Sequence, residues 1–84
     1  MNLDYFQDPS HGWIAAPLSL LRNWAFFPSR YSYQDASFAY LEEDCDAARF
    51  MAEAAARGVA VTLTEHHTNT DHPIRQLPRF KETA

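Results

Sequence analysis

Eighty-four residues, 46% of them hydrophobic, with twelve aromatic side chains and only two glycines, describe a chain that folds rather than stays disordered. A chain of this length makes one domain and buries about 60–65% of its unfolded surface, so its core is modest. The net charge is −4, with ten acids against four arginines up to residue 72 and a mildly basic stretch beyond it, which argues against direct binding of nucleic acid through a basic patch.

The single domain is expected to span 1–84, with 1–11 as a leader and turn and 73–84 as an extended tail. Asp8-Pro9 starts the turn, and Ser10-His11-Gly12 gives it a flexible exit. Trp13, Ile14 and Ala15 suit a short strand. Pro17 fits a first helical position, with Leu20, Leu21 and Trp24 on one face, and this helix must end before Pro28. Trp24, Phe26 and Phe27 form an apolar exit from it. These rings read either as core or as an exposed partner-binding patch.

Tyr31-Ser-Tyr33 and Phe38 to Leu41, separated by the polar Gln34-Asp-Ala-Ser37, read as a hairpin with Tyr31 and Tyr33 facing Phe38 and Tyr40. The second strand runs into an acid-rich helix start. Asp44 is the expected N-cap, Asp46 sits in the first turn where the helix dipole favours negative charge, and the helix runs to about Arg57. Ala47, Phe50, Met51, Ala54 and Ala55 make its apolar face, while Arg49, Glu53 and Arg57 are spaced to pair. Gly58 closes it as a left-handed cap.

Val59 to Glu65 alternates cleanly and predicts a strand with Val59, Val61 and Leu63 inward. A strand, helix and strand joined by short links imply a right-handed crossover, with this strand parallel to the one at 38 and adjacent or one place removed. His66 to His72 is a polar connection, and Ile74, Leu77 and Phe80 anchor the tail. The fold class is therefore α+β, a mixed three- to four-stranded sheet with two helices packed on it. Trp13, Leu21, Tyr40, Phe50, Val61 and Leu63 are expected to be buried.

Three groups of residues bear on chemistry. Glu42, Glu43, Asp44 and Asp46 place four carboxylates within five residues; a helix start accounts for Asp44 and Asp46 better than for Glu42 and Glu43, and a partner rich in arginine, a metal ion or solvent alone can answer their mutual repulsion. With Asp35 they form the expected partner-binding surface. His66, His67 and His72, near Glu65 and Asp71, offer imidazoles and carboxylates, but adjacent histidines on a strand point apart and no two-plus-two ligand spacing occurs. They are read as solvated, and no metal and no cofactor is expected. Cys45 lies among acids that oppose thiolate formation and has no base nearby in sequence, so it reads as a structural cysteine. No Gly-rich phosphate loop, Gly-x-Ser-x-Gly elbow or His-Glu-x-x-His is found, and no catalytic residue is assigned.

The single cysteine rules out an internal disulfide framework and fits a reducing compartment. No apolar run reaches the roughly 20 residues of a membrane helix, and the opening Met-Asn-Leu-Asp-Tyr lacks the features of a signal peptide. A cytoplasmic location, no membrane partner, and a monomer or weak dimer are expected.

His11-Gly-Trp13 with Pro17 and Leu21, Tyr31-Ser-Tyr33, Ala39-Tyr-Leu-Glu-Glu-Asp-Cys-Asp46 with Phe50, and Pro73-Ile-Arg75 together resemble a family of very short proteins carried by bacteriophages and other mobile elements. The resemblance covers most of the chain. Trp24-Ala-Phe-Phe-Pro28 departs from it, being more hydrophobic than the family's Leu-Gly-Ile type of link, so partner contacts there do not carry over. Small acidic phage proteins of this kind are similar to anti-CRISPR proteins, which occupy a surface of an effector complex. The resemblance implies a non-enzymatic inhibitor of a host defence complex with a basic groove, a CRISPR effector, reached through the acidic surface in competition with DNA. Two alternatives are a small metal- or thiol-dependent enzyme using His66, His67 and His72 or Cys45, and a structural or regulatory phage protein.

Overall fold

The computed structural model describes residues 1–81. Its elements are β1 (Asn2–Gln7), β2 (Gly12–Pro17), α1 (Leu18–Asn23), β3 (Tyr33–Gln34), β4 (Phe38–Glu42), α2 (Asp46–Ala56), β5 (Thr62–His67) and a 3₁₀ turn at Pro73–Gln76. The strands form one mixed sheet in the order β3-β4-β2-β1-β5. The α+β class with two helices holds, and the sheet has five strands instead of three or four.

The extra strand is β1, which falls within the 1–11 stretch expected as a leader and turn. It lies inside the sheet, antiparallel to β2 and parallel to β5. Since β2 is antiparallel to both β1 and β4, β5 runs parallel to β4 as the crossover argument required. Two strands lie between them, however, so β5 is neither adjacent to β4 nor one place removed.

Alternation along the strands divides the apolar residues between two faces. Leu3, Ile14, Ala16, Ala39 and Leu41 face the helices and pack with Leu21, Trp24, Phe26, Ala47, Phe50 and Ala54. Phe50 is fully buried, with Trp24 stacked on it at 5.5 Å and Phe26 edge-on at 5.9 Å between ring centroids. The opposite face has a smaller cluster, in which Trp13 and Tyr33 are covered by Ile74, with Phe6, Tyr40 and Leu77 around them. The tail therefore acts as the second layer. After the 3₁₀ turn it runs extended beside β3, with Gln34 N–H donating to the Pro78 carbonyl at 3.0 Å and Phe80 N–H to that of Ser32 at 2.8 Å. Residues 82–84 of the expected tail lie outside the described residues.

Several local expectations change. Pro17 ends β2 and precedes α1, its ψ of 134° being extended and not helical. Helix α2 is capped by position at Cys45 with no side-chain capping bond, so Asp44 is not the N-cap. Glu42 Oε2 instead accepts the Asp44 N–H at 2.9 Å. Gly58 has the expected left-handed backbone, with φ of 71°. Arg57 pairs with Glu53 at 2.8 Å, whereas Arg49 turns to Asp46. In the hairpin Tyr33 stands opposite Tyr40, but the Tyr33 ring meets Trp13 edge-on at 6.3 Å and Tyr31 is exposed.

Of the six expected core residues, Trp13, Leu21 and Phe50 are buried, and Tyr40 and Val61 are half-buried. Leu63 is 37% exposed. The strand containing it begins only at Thr62, lies at the sheet edge and is exposed on both faces, so the alternation there marks a strand but not a buried one.

Candidate functional site

The site forms where the β1–β2 turn, the β4–α2 connection and the tail meet. Asp8 builds the turn. Its Oδ1 accepts the N–H groups of Ser10 at 3.0 Å and His11 at 2.9 Å, and its own N–H donates to the His11 carbonyl at 2.9 Å. Oδ2 accepts from His72 N–H and Arg75 Nε, which brings the tail to the same place. The β2–β4 register, with Trp13 opposite Glu42, then sets His11 beside the acidic connection, and Glu43 N–H donates to the Gly12 carbonyl at 3.0 Å. Gly12 is needed for close approach. A Cβ there would collide with the Tyr5 hydroxyl, which passes over it to donate to Glu43 Oε2 at 2.7 Å.

The result is a cleft of about 400 Å³. Glu42, Asp44, Cys45 and His11 form one side, and Trp13, Tyr31 and Tyr33 supply aromatic surface. Arg75 and Arg79 close the other side, Arg75 lying 5.4 Å from the Trp13 ring centroid and Arg79 lying 4.4 Å from that of Tyr33. His11 Nδ1 is 3.6 Å from Glu42 Oε1, beyond hydrogen-bond range, and is buried without a partner. Trp13 Nε1 is likewise buried without an acceptor among the described residues. The Glu42 carboxyl is raised above its ordinary value, first by burial and then by the negative charge of Asp44 and Glu43, against the Asp44 N–H and His11 acting the other way.

The structure separates the predicted acidic residues. Asp44 is exposed, while Glu42 and Glu43 are half-buried and already bonded within the protein. Asp46 is fully buried. It accepts from Ser29 N–H and Oγ, Ser32 Oγ and Arg49 Nη1. Burial works to raise its carboxyl, and these bonds together overcome it and leave the group below its ordinary value. Asp46 thus organises the interior and offers no charge to a partner. Asp35 belongs to the hairpin, accepting from the backbone of Ser37 and Phe38 and from the Tyr40 hydroxyl, and does not join the cleft. Of the apolar candidates, Trp24 and Phe26 are core, and Phe27 alone is exposed, at 57%.

The three histidines of the second group do not converge on a common centre. His66 pairs with Asp4 at 2.9 Å and stacks on Phe6, and His72 uses Nδ1 to accept the Ile74 N–H. His67 is exposed on the edge strand. Cys45 Sγ donates to Asp46 Oδ1 at 3.7 Å, and His11 faces Glu42, so no thiol–imidazole pair is formed. His11, Trp13, Tyr31, Tyr33, Arg75 and Arg79 line the cleft without a functional role expected from the sequence. No helix among the described residues is long and apolar enough to cross a membrane. Comparisons with protein-family models, curated proteins and solved structures found no match.

Proposed function

We propose that the protein is a non-enzymatic binding domain that inhibits a host defence complex, a CRISPR effector, and that the cleft rimmed by Glu42 and Asp44 is its recognition surface. The observation that supports this reading is the under-compensated charge at the rim. Burial and the neighbouring carboxylates raise Glu42, and Asp44 is exposed beside it with no cation bonded to it among the described residues. A lysine or arginine from a partner relieves both conditions, and the aromatic wall of Trp13, Tyr31 and Tyr33 gives its stem a surface to pack on.

This differs from a strip of phosphate-like charges. With Asp46 internal and Arg75 and Arg79 on the opposite side, the cleft suits one or two cationic side chains of a groove that otherwise receives DNA. Binding of this kind occludes the groove and needs no turnover. The test is a DNA-binding competition assay with purified effector complex, in which inhibition should saturate at a fixed ratio of protein to effector and weaken with salt. Inhibition at a small fraction of that ratio would indicate catalysis instead.

A further inference from the structure

His11, Glu42 and Asp44 are contributed by two segments more than thirty residues apart in sequence, and each offers a ligand atom to one point, all three lying within 4.8 Å of one another. From this arrangement we infer that the mouth of the cleft is a binding site for a divalent first-row transition ion, of which Zn²⁺ is the representative. His11 Nδ1, a Glu42 carboxylate oxygen and an Asp44 carboxylate oxygen are its protein ligands.

The spacing fits such an ion. Zinc bonds of about 2.0–2.2 Å in tetrahedral geometry place ligand atoms about 3.4 Å apart. His11 Nδ1 and Glu42 Oε1 are already 3.6 Å apart. Asp44 is exposed, and its ligand atom already lies within 4.8 Å of those of His11 and Glu42. One imidazole and two carboxylates select an ion that accepts both nitrogen and oxygen, in preference to the all-oxygen sites of magnesium or calcium.

Two unpartnered groups independently mark the place. Buried polar atoms are nearly always hydrogen-bonded, yet His11 Nδ1 has no partner and faces the Glu42 carboxylate. An ion gives this nitrogen an acceptor for its lone pair. Trp13 is only 1% exposed, lines the same cleft, and its Nε1–H has no acceptor. A water or anion on the ion's open coordination positions is a suitable acceptor. His11 ligates through Nδ1, and its position is fixed by the Asp8 turn, which acts as outer support for the site.

The ion binds the isolated protein, with or without a partner. It also neutralises the same two carboxylates that a partner's cation would meet, so loading the site opposes recognition by charge.

The test is calorimetric titration of the EDTA-dialysed full chain with ZnCl₂, together with nitrogen-detected NMR of the histidine rings. One equivalent should bind, the His11 ring nitrogens and the Trp13 indole N–H should shift, and His11→Ala and Asp44→Asn should each weaken binding by at least about tenfold. His66→Ala and His67→Ala should leave it unchanged. Asp44 is exposed and carries no side-chain bond, so Asp44→Asn decides the matter even where His11→Ala fails to fold. Absence of binding by the folded parent, or binding that survives Asp44→Asn and is lost in His66→Ala or His67→Ala, would overturn the inference. Because no effector enters this experiment, its outcome is separate from that of the inhibitor reading.

Discussion

Arg75 reaches back across 67 residues to Asp8, donating through Nε at 2.7 Å and through Nη2 at 3.1 Å to a carboxylate that is wholly buried. The pair joins the tail to the first turn and so holds both sides of the cleft. The Arg75 bonds, opposed by burial and aided by the backbone N–H groups of His72, His11 and Ser10, keep the Asp8 carboxyl far below the usual carboxylate range. Asp8→Ala leaves the mostly buried Arg75 with only the exposed Asp71 at 3.8 Å and strips the acceptor from three backbone N–H groups, so it should cost about 3–5 kcal/mol in urea unfolding. The folded value lies below the unfolded one of about 4, so this contribution is complete above that pH and is lost as pH falls through the folded value. Urea titrations from neutral to strongly acid pH should show the loss in the parent. The Asp8→Ala variant should lack this component.

Asp46 and Asp44 should behave in opposite ways. Asp46→Ala strips the acceptor from Ser29, from the buried Ser32 and from the half-exposed Arg49, and should destabilise by about 1–3 kcal/mol, chiefly through the unsatisfied Ser32 hydroxyl. Asp44→Ala removes no side-chain bond and should change stability by less than about 0.5 kcal/mol. Equal losses in thermal or urea unfolding would contradict these placements.

Tyr40 donates to Asp35, and burial first, then this bond, pushes its pKa up to about 12. Tyr5 is raised in the same direction by burial and by Glu43. Since the unfolded value is near 10, the stabilisation is fully present below that pH and is lost as pH rises toward the folded values. Phenolate absorbance during alkaline titration should show late-ionising tyrosines, and Tyr40→Phe should remove one of them.

Gly12→Ala should destabilise by about 1–3 kcal/mol, because the new methyl group meets the Tyr5 ring and displaces the hydroxyl from Glu43. Tyr5→Phe keeps the ring and loses only the hydrogen bond, so it should be the milder variant in the same unfolding assay.

Helix α2, the β3–β4 hairpin and the Gly58 cap were legible because their signals are local: three- and four-residue spacing, two-residue alternation, and a glycine where the backbone turns left-handed. Strand β1 was hidden because its helix-facing Leu3 and Tyr5 alternate with Asn2 and Asp4, and a turn motif follows at once. Leu63 misled because alternation reports which side chains share a face and not whether anything covers that face. The acidic rim was visible as composition, but its division among exposed Asp44, bonded Glu42 and Glu43, and buried Asp46 depends on Ser29, Ser32, Tyr5 and His11 arriving from elsewhere. His11 joined the site through the β2–β4 register, which a single sequence does not express.

Recognition of the target at the rim of the cleft is tested against recognition at the apolar segment after α1 by two variants, Asp44→Lys and Phe27→Glu. Both residues are exposed, so each variant should retain the parent's circular dichroism spectrum. In the DNA competition assay with purified CRISPR effector complex, Asp44→Lys should abolish inhibition and Phe27→Glu should inhibit as the parent does. A folded Asp44→Lys protein that inhibits as strongly as the parent would contradict the claim, and loss of inhibition in Phe27→Glu alone would move the recognition surface to the apolar segment after α1.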